Sequence, residues 1–345
     1  MVLATWAFAA VLAASPPGER LFYAVDDAAG VASLLAHGAA VDVLAPQVLT
    51  LEEDGGVTGA VPPALAAAAR QRCLPLVPLV VNGGFRSDPI LAVLGSPERQ
   101  ARAIADLTAR ATAEGWAGVQ FDFERIPAAA RHRYTGFVRA AAAAFRSAGL
   151  SLSVAVVAQR GEEPEAYPPG FWEEWAGVYD YAALGQAADF LSLMTYDQHT
   201  RLTGPGPVAG LPWVEEVLAF ALARVPPERL SLGIPLYYRA WRSKGGPGYG
   251  GFREAQALRD LLGVSARWDP VQRSPLFVGA ADATVTTVWY EDARSVGERL
   301  ALVRRHALRG FSAWVLGQED PALWTLLYGD GAARTASSAR GRRCD

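Results

Sequence analysis

Short apolar segments and longer amphipathic segments alternate along nearly the whole chain. Eight of the short segments have the composition of buried strands, and they cover residues 20–25, 41–51, 76–81, 116–124, 151–158, 189–197, 230–237 and 310–315. Strands that helices cover on both faces form such apolar runs because neither face of the sheet meets water. The pattern therefore predicts parallel strands that are linked by helices.

The segments between these strands have the composition of helices. They are rich in Ala or carry apolar residues at helical spacing, and they cover residues 28–39, 63–73, 96–115, 128–148, 172–187, 212–224, 295–307 and 321–327. Ser96 followed by Pro97 is typical of a helix start, and Gly149 is typical of a helix end. Eight strands, each followed by a helix, predict an α/β fold of the (β/α)8 TIM-barrel type. A small α+β insertion is expected after strand 7, at about residues 242–289.

Length and composition agree with one large α/β domain or two ordinary ones. The chain has 345 residues, of which 51% are hydrophobic. A doubly wound open sheet is the alternative to a barrel, but no G-x-G-x-x-G or Walker-type loop follows the first strand. The formal net charge of −3 argues against a nucleic-acid-binding protein. The 10 Trp, 11 Tyr and 13 Phe residues either pack in the core or offer rings on which sugars stack, and composition alone favours core packing.

The two ends of the chain differ in composition from the expected barrel, residues 18–328. Residues 1–14 are apolar and end in small residues, which predicts a secretory signal peptide, although the usual basic residues before the apolar run are missing. A truncated leader or a buried N-terminal helix is the alternative. The run is too short to span a bilayer, so no stable membrane insertion is expected. Residues 330–345 are small and polar, which predicts a disordered tail.

The segment W-A-G-V-Q-F-D-F-E at residues 116–124 has an apolar and a polar face. Because successive side chains of a strand point to opposite sides, Val119, Phe121 and Phe123 share one face, and Gly118, Gln120, Asp122 and Glu124 share the other. Asp122 and Glu124 are about 7 Å apart along such a strand, so that the charge of one acid raises the pKa of the other. The segment predicts a strand that packs on helices and presents two acids to a polar cleft.

In a barrel of this type, functional side chains gather at the C-terminal ends of the strands. The predicted strand ends carry acids, amides, phenols and one indole: Tyr23, Asn82, Asp122, Glu124, Gln159, Tyr196, Asp197, Tyr237, Tyr238 and Trp314. No set of residues has the spacing of metal ligands, Cys73 and Cys344 included, and no G-x-S-x-G motif occurs. Paired carboxylates ringed by aromatic residues suit chemistry on glycosidic bonds, for which no cofactor is expected.

These motifs resemble glycoside hydrolase family 18, the chitinase-like barrels, whose strand-four signature is D-x-x-D-x-D-x-E. Asp122 and Glu124 match its last two acids, whereas Ala117 and Gln120 stand where the first two acids are usual. Further matches are Met194-Thr195-Tyr196-Asp197 at strand six, Trp314 at strand eight and, in part, Asn82-Gly83-Gly84 at strand three. Residues 118–124, 179–181, 194–197, 204–207, 211–216, 233–237 and 316–321 resemble more narrowly the spore-cortex-lytic branch, which acts on peptidoglycan-type glycans.

The resemblance implies retaining, substrate-assisted hydrolysis of β-linked N-acetylglucosamine-containing glycans of the peptidoglycan or chitin type. In that mechanism the substrate's own acetamido oxygen attacks the anomeric carbon. Glu124 would act as general acid and then as base, Asp122 would hold the acetamido N–H, and Tyr196 would hydrogen-bond the same group. The implied substrate-binding residues are Gln120, Asn82, Asp197, Trp314, Tyr23 and Tyr237, with a structural role as the alternative for Tyr23.

Gln120 is the departure from the family signature that has a chemical consequence. It cannot ionise, so Asp122 lacks a charged neighbour and its pKa should be lower than in a pair of acids. We expect activity to survive with an altered pH profile.

Two other classes of function compete with a hydrolase. A non-catalytic, lectin-like member of the same barrel family often lacks the acid at the position of Glu124. An unrelated barrel lyase or isomerase would need a metal cluster or a Lys or His base at the strand ends, and the sequence offers neither. We therefore expect a monomeric hydrolase, secreted or located in the periplasm or cell envelope, whose partner is its glycan substrate.

Overall fold

The computed structural model describes residues 18–329 of the chain. The predicted signal peptide and the predicted disordered tail lie outside these residues. Within them, none of the helices combines the length and the apolar character that crossing a bilayer requires.

Strands and helices alternate as the sequence predicts. The strands are β1 (Glu19–Ala24), β2 (Val43–Leu51), β3 (Val57–Gly59), β4 (Leu79–Asn82), β5 (Gly118–Asp122), β6 (Ser151–Val157), β7 (Phe190–Met194), β8 (Leu230–Pro235), β9 (Tyr237–Arg242), β10 (Gly248–Gly251), β11 (Arg267–Asp269), β12 (Ser274–Ala281), β13 (Thr284–Trp289) and β14 (Gly310–Trp314). The helices are α1 (Ala28–His37), α2 (Pro63–Gln71), α3 (Ser87–Leu94), α4 (Pro97–Glu114), α5 (Arg131–Ser147), α6 (Tyr181–Ala187), α7 (Leu211–Leu222), α8 (Phe252–Leu261), α9 (Ala293–Arg305) and α10 (Ala322–Gly329).

Eight parallel strands close into a barrel. Their order is β1-β14-β8-β7-β6-β5-β4-β2, and β2 pairs with β1 to complete the ring. Each predicted barrel strand corresponds to one of these eight, which confirms the (β/α)8 fold. The short β3 pairs antiparallel with the end of β2, outside the ring.

Helix ends follow the local chemistry of the sequence. The Ser96 hydroxyl accepts the Arg99 N–H at the start of α4 (3.3 Å), and Pro97 occupies the first turn, where no N–H is needed. Gly115 ends the helix at φ +67°, a left-handed conformation that glycine adopts without a steric penalty. Helix α3, which follows the Asn82-Gly83-Gly84 turn, is eight residues long and was not predicted from the sequence.

The core of the barrel wall confirms the predicted apolar face of the strand at residues 118–122. Val119, Phe121 and Phe123 are fully buried. The rings of Phe121 and Phe137 on α5 are parallel, with centroids 5.5 Å apart. Burial of three large side chains on one face fixes which way the opposite face points, because a slip of one residue would exchange the two faces.

A second sheet forms the predicted insertion. Its five antiparallel strands are ordered β10-β9-β13-β12-β11, and α8 packs against it. Barrel strand β8 ends at Pro235, and the first strand of the insertion sheet begins at Tyr237, two residues later. Tyr237 therefore belongs to the insertion sheet and not to the end of the seventh barrel strand, where the sequence pattern put it.

A buried ion pair joins the insertion to the barrel. Arg299 on α9 and Glu291, which follows β13, are both buried, with Nη2 and Oε1 3.5 Å apart. The Arg299 guanidinium also donates to the Ser274 hydroxyl (2.8 Å), to the Arg273 carbonyl (2.7 Å) and to the Ala209 carbonyl. Burial raises the pKa of Glu291 to about 7, and the charge of Arg299 opposes that rise. One guanidinium thus connects α9, the insertion and the loop before α7.

The close approach of β5 and β6 depends on a glycine, which gives a stability prediction. A Cβ on Gly118 would lie 2.1 Å from the Ser151 hydroxyl oxygen and 2.3 Å from the Ser151 carbonyl oxygen. We expect Gly118→Ala to lower the free energy of unfolding by roughly 1–3 kcal/mol through overpacking, measured by chemical denaturation. The control is Gly136→Ala in exposed α5 surface, where the new Cβ meets nothing within 4 Å. The Gly136→Ala change should raise the free energy of unfolding by roughly 0.5–1 kcal/mol, because alanine has the higher helix propensity. A Gly118→Ala protein as stable as the parent would contradict the interpretation.

Candidate functional site

A polar cavity of about 340 Å³ lies at the C-terminal ends of the barrel strands. Its lining combines three acids, an arginine, an amide, five aromatic residues and one methionine: Gln47, Phe85, Asp122, Glu124, Met194, Tyr196, Asp197, Tyr237, Arg239, Tyr249 and Trp314. Barrel strands and the insertion sheet both contribute to it, so the cavity exists only where the two meet.

Asp122 is the buried acid of the cavity. It is the last residue of β5, and only 5% of its surface is exposed. One carboxylate oxygen accepts a hydrogen bond from the Gln47 side-chain amide (3.3 Å), and the other is buried without a partner in the described structure. Burial raises the pKa of Asp122 to about 6, and the Gln47 hydrogen bond opposes the rise. A buried carboxylate oxygen without a partner is costly, so the site is suited to receive a hydrogen-bond donor.

Glu124 lies two residues further, where the backbone is held by two side chains. The Asn82 side chain accepts the Glu124 N–H (3.0 Å) and donates to the Glu124 carbonyl (3.0 Å). The Tyr179 hydroxyl donates to the Phe123 carbonyl (2.7 Å). These bonds fix the position of the acid although β5 has already ended.

The pKa of Glu124 is raised to about 8. Burial is the main cause, and the charges of Asp122 and Asp197 add to it, whereas Arg125 opposes it. The sequence-based expectation that burial and Asp122 would raise this pKa is met in direction. The two acids are placed in different environments, because Asp122 accepts a hydrogen bond from an amide that Glu124 lacks.

Gln120 lies beneath the acids and does not line the cavity. It is fully buried, its carbonyl accepts the Tyr23 hydroxyl (2.7 Å), and its amide donates to the Ser153 hydroxyl (2.9 Å). Tyr23 in turn hydrogen-bonds the Ser192 hydroxyl (2.8 Å). The absence of an acid at position 120 does not leave Asp122 with an ordinary pKa, because burial alone raises it.

Asp197 is held by the insertion. Arg239 on β9 donates to both of its carboxylate oxygens (2.7 and 2.8 Å), and the Tyr237 hydroxyl donates to one of them (2.7 Å). The Arg239 guanidinium also lies 5.0 Å from the centre of the Tyr249 ring. Paired in this way, the carboxylate of Asp197 is a fixed feature of the wall.

Tyr196 and Trp314 complete the wall. Burial raises the pKa of Tyr196 well above its ordinary value, so its hydroxyl stays protonated and can donate a hydrogen bond at neutral pH. Trp314 ends β14, and its ring lies 5.3 Å from that of Tyr23. The indole therefore forms an apolar side of the cavity next to the polar residues.

The cavity contains most, but not all, of the predicted site residues. Asp122, Glu124, Tyr196, Asp197, Tyr237 and Trp314 line it, whereas Gln120, Asn82 and Tyr23 are buried behind it. Gln47, Phe85, Arg239 and Tyr249 line it without having been predicted. Arg239 and Tyr249 come from the insertion, and no motif in the sequence indicates that this sheet reaches the strand ends.

The described residues give no sign of a metal centre. Between residues 18 and 329, no three His, Cys, Asp or Glu side chains are grouped so that they could hold a metal ion. The chemistry of the site is that of two acids with raised pKa values, one paired acid, a neutral phenol and aromatic walls.

Comparison with known proteins supports the family resemblance. The family model "Glycosyl hydrolases family 18" matches residues 75–319. The chain is 30% identical over 252 residues to the cortical fragment-lytic enzyme of Bacillus subtilis, a match that covers 71% of this chain and 57% of that protein. It is 28% identical over 273 residues to a putative sporulation-specific glycosylase of the same organism, covering 76% and 62%. The chain thus spans less than two thirds of the length of these two relatives.

Among solved structures, a chitinase from Chromobacterium violaceum is similar over nearly the whole fold. The two share 32% sequence identity with a TM-score of 0.83, and the match covers 91% of this chain and 99% of the chitinase. The family match over most of the chain and the shared barrel show that this protein belongs to glycosyl hydrolase family 18 and is a glycoside hydrolase.

Proposed function

We propose that this protein cleaves β-linked N-acetylglucosamine-containing glycans by a retaining, substrate-assisted mechanism. The observation that carries the proposal is the acid pair in the cavity: Glu124 with a pKa of about 8, and Asp122 with one buried carboxylate oxygen that lacks a partner. An acid that keeps its proton near neutral pH can protonate a leaving group. A buried acceptor beside it can hold the N–H of an acetamido group.

The hydrogen bonds and burial of the other two acids favour a mechanism in which the substrate itself supplies the nucleophile. A two-carboxylate retaining enzyme needs a second acid that is free to attack the anomeric carbon. Asp197 accepts hydrogen bonds from both Arg239 and Tyr237, which fix it in the wall. Asp122 lines the cavity, but it is buried and accepts a hydrogen bond from Gln47. The acetamido oxygen of the sugar is then the group left to attack the anomeric carbon. Asp122 stabilises the positive charge that develops on the oxazolinium ion.

The remaining predicted roles follow from this arrangement. Tyr196 donates a hydrogen bond from its hydroxyl to the acetamido carbonyl, and Trp314 forms the apolar floor under the sugar ring. Asp197 and Tyr237 form the polar wall and position the substrate. For Gln120, Asn82 and Tyr23 we propose an indirect contribution: Asn82 holds the backbone of Glu124, and the other two support the strand end from below.

Peptidoglycan-type and chitin-type glycans are both substrates that this site suits, and both contain N-acetylglucosamine. The cortical fragment-lytic relatives favour the first and the similar chitinase the second. Such polymers lie outside the cytoplasm, which together with the composition of residues 1–14 supports a secreted, periplasmic or envelope location. A purely lectin-like role is not favoured, since both acids of the pair face one cavity.

The first prediction from the proposed function concerns Glu124. The Glu124→Gln protein should lose roughly 10²- to 10⁴-fold in kcat, because the amide cannot donate a proton to the leaving oxygen. Purified peptidoglycan and chitooligosaccharides are digested with the parent and the variant, and products are identified by mass spectrometry. NMR of the first-formed product should show the β-anomer, and N-deacetylated substrate should resist cleavage. The matched control is Glu114→Gln at the exposed end of α4, which should act like the parent. Equal turnover by the Glu124→Gln protein and the parent would show that Glu124 is not the general acid.

The pH dependence is the second prediction. Asp122 must be charged, so kcat/KM should fall as the pH drops below about 6, and Glu124 must be protonated, so kcat/KM should fall as the pH rises above about 8. The two limbs belong to the pair as a whole, because the acids influence each other. Initial rates between pH 4 and 10 measure the profile. An optimum above pH 9, or activity that rises steadily with pH, would contradict the assignment.

Gln120 provides the third prediction. Gln120→Asp places a second acid beneath Asp122, and repulsion between like charges should raise the pKa of one of them and move the acidic limb to higher pH. Thermal unfolding of the variant shows whether the buried change is tolerated, and Gln120→Glu offers a second acid if it is not. A pH–rate curve identical to that of the parent in a folded variant would show that position 120 does not set the profile.

A further inference from the structure

Cys73 is covalently joined to a second cysteine. It lies two residues after the end of α2 at Gln71, and it is disulfide-bonded. The chain contains two cysteines, Cys73 and Cys344. The partner of Cys73 is therefore either Cys344 of the same chain or a cysteine of a second copy, and the packing of three helices near Cys73 favours the first.

The end of α2 packs against the end of α1. The Arg72 guanidinium donates to the Leu35 carbonyl. A Cβ on Gly38 would lie 2.9 Å from Cγ of Arg72, so these two residues are in direct contact. Cys73, which follows Arg72 in the chain, thus lies beside the last turn of α1.

Helix α10, the last described element, packs against the same end of α1. The His37 ring is stacked on the Trp324 ring with centroids 4.5 Å apart, and it lies 6.4 Å from the Tyr328 ring. Tyr328 comes directly before Gly329, where α10 ends. The end of α1 therefore separates Cys73 from Gly329, a gap on the order of one to two helix diameters, or about 10–25 Å.

The segment from Gly329 to Cys344 is long enough to cross this gap. A chain spans at most about 3.3–3.6 Å per residue, so these roughly 15 residues reach up to about 50 Å. Residues 330–343 are small or polar, a composition typical of a linker. A cysteine tethered within this reach has an effective concentration on the order of millimolar, which favours it over a cysteine of a second copy.

Cys73 lies on the face of the barrel opposite the cavity. Helix α2 leads into β4, which begins at Leu79, so Cys73 lies near the N-terminal ends of the strands, whereas the cavity lies at their C-terminal ends. Helix α10 covers the seam where β14 pairs with β1, since the Trp324 ring stacks on Phe22 of β1 at 5.3 Å. A bond from Cys73 to the chain beyond α10 thus holds the helix that covers the closure of the barrel.

We propose that Cys73 and Cys344 of one chain form a disulfide that tethers the C-terminal segment to the barrel and stabilises the closed ring. Its formation removes two protons and two electrons from the two thiols. The disulfide form of a thiol–disulfide oxidoreductase accepts them and becomes a dithiol. Such oxidants act outside the reducing cytoplasm. The inference does not rest on the proposed hydrolysis, because it needs no glycan.

Peptide mapping tests the pairing. The full chain is exported to the periplasm of a bacterial host, blocked with N-ethylmaleimide and digested with trypsin without reductant. Cleavage after arginine yields the peptides Cys73–Arg86 and Cys344–Asp345. Mass spectrometry should show them linked, dithiothreitol should separate them, and the intact chain should run as a monomer on a non-reducing gel. Maleimide on both cysteines, or a dimer that dithiothreitol separates, would overturn the pairing.

Thermal unfolding tests the stabilising role. Cys344→Ser should lower Tm by roughly 5 °C, because the bond restricts the unfolded chain over about 270 residues. Dithiothreitol should lower the Tm of the parent by a similar amount and leave that of Cys344→Ser unchanged. The matched control is Ser337→Ala in the same segment, which should keep the parent's Tm. A parent whose Tm does not respond to dithiothreitol would overturn the stabilising role.

Activity shows whether the bond acts on the fold alone. On a glycan that the parent cleaves, Cys344→Ser should keep the parent's kcat/KM at 25 °C, because Cys73 and the cavity lie on opposite faces of the barrel. A several-fold loss of kcat/KM in this variant, while it stays folded, would contradict that separation. A parent that cleaves no glycan would contradict the proposed function and leave the peptide map and the Tm values as the test of the disulfide.

Discussion

Exclusion of water from Asp122 and Glu124 is the physical condition on which the rest of the site depends. Burial is the largest cause of the raised pKa of both acids, ahead of any charge–charge effect. The barrel provides this burial only because the opposite face of β5 carries Val119, Phe121 and Phe123, which pack under the helices. The apolar packing of one face and the acid chemistry of the other are therefore two results of a single alternating strand.

The insertion completes what the barrel begins. Arg239 and Tyr237 hold the Asp197 carboxylate, so that this acid contributes a fixed negative charge that raises the pKa of Glu124. The insertion is itself held on the barrel by the buried Arg299–Glu291 pair, which joins it to α9. Such a pair adds little net stability after its desolvation, but it fixes the relative position of the elements that it joins. The shape of the cavity therefore depends on a contact that contains no residue of the cavity.

Much of the fold was predictable because barrel strands and helices are local patterns. Apolar runs and helix-end signals such as Ser96, Pro97 and Gly149 depend on neighbours in sequence, and they gave the barrel and most element bounds. Helix α3 and the start of the insertion sheet at Tyr237 were not predicted. The insertion strand was missed because a strand that begins two residues after another ends leaves no break in the apolar pattern.

For the site, the sequence by itself determined the residues whose position follows from the ends of barrel strands: Asp122 on β5 with Glu124 just after it, Tyr196 and Asp197 after β7, and Trp314 on β14. Their convergence is a property of the closed parallel barrel, in which every strand ends at the same face. Only the tertiary structure decided that Gln47 bonds Asp122, that Arg239 pairs with Asp197, and that Gln120, Tyr23 and Asn82 lie behind the cavity. Those outcomes depend on side chains that are far apart in sequence, and on how much water each of them keeps, which no local pattern records.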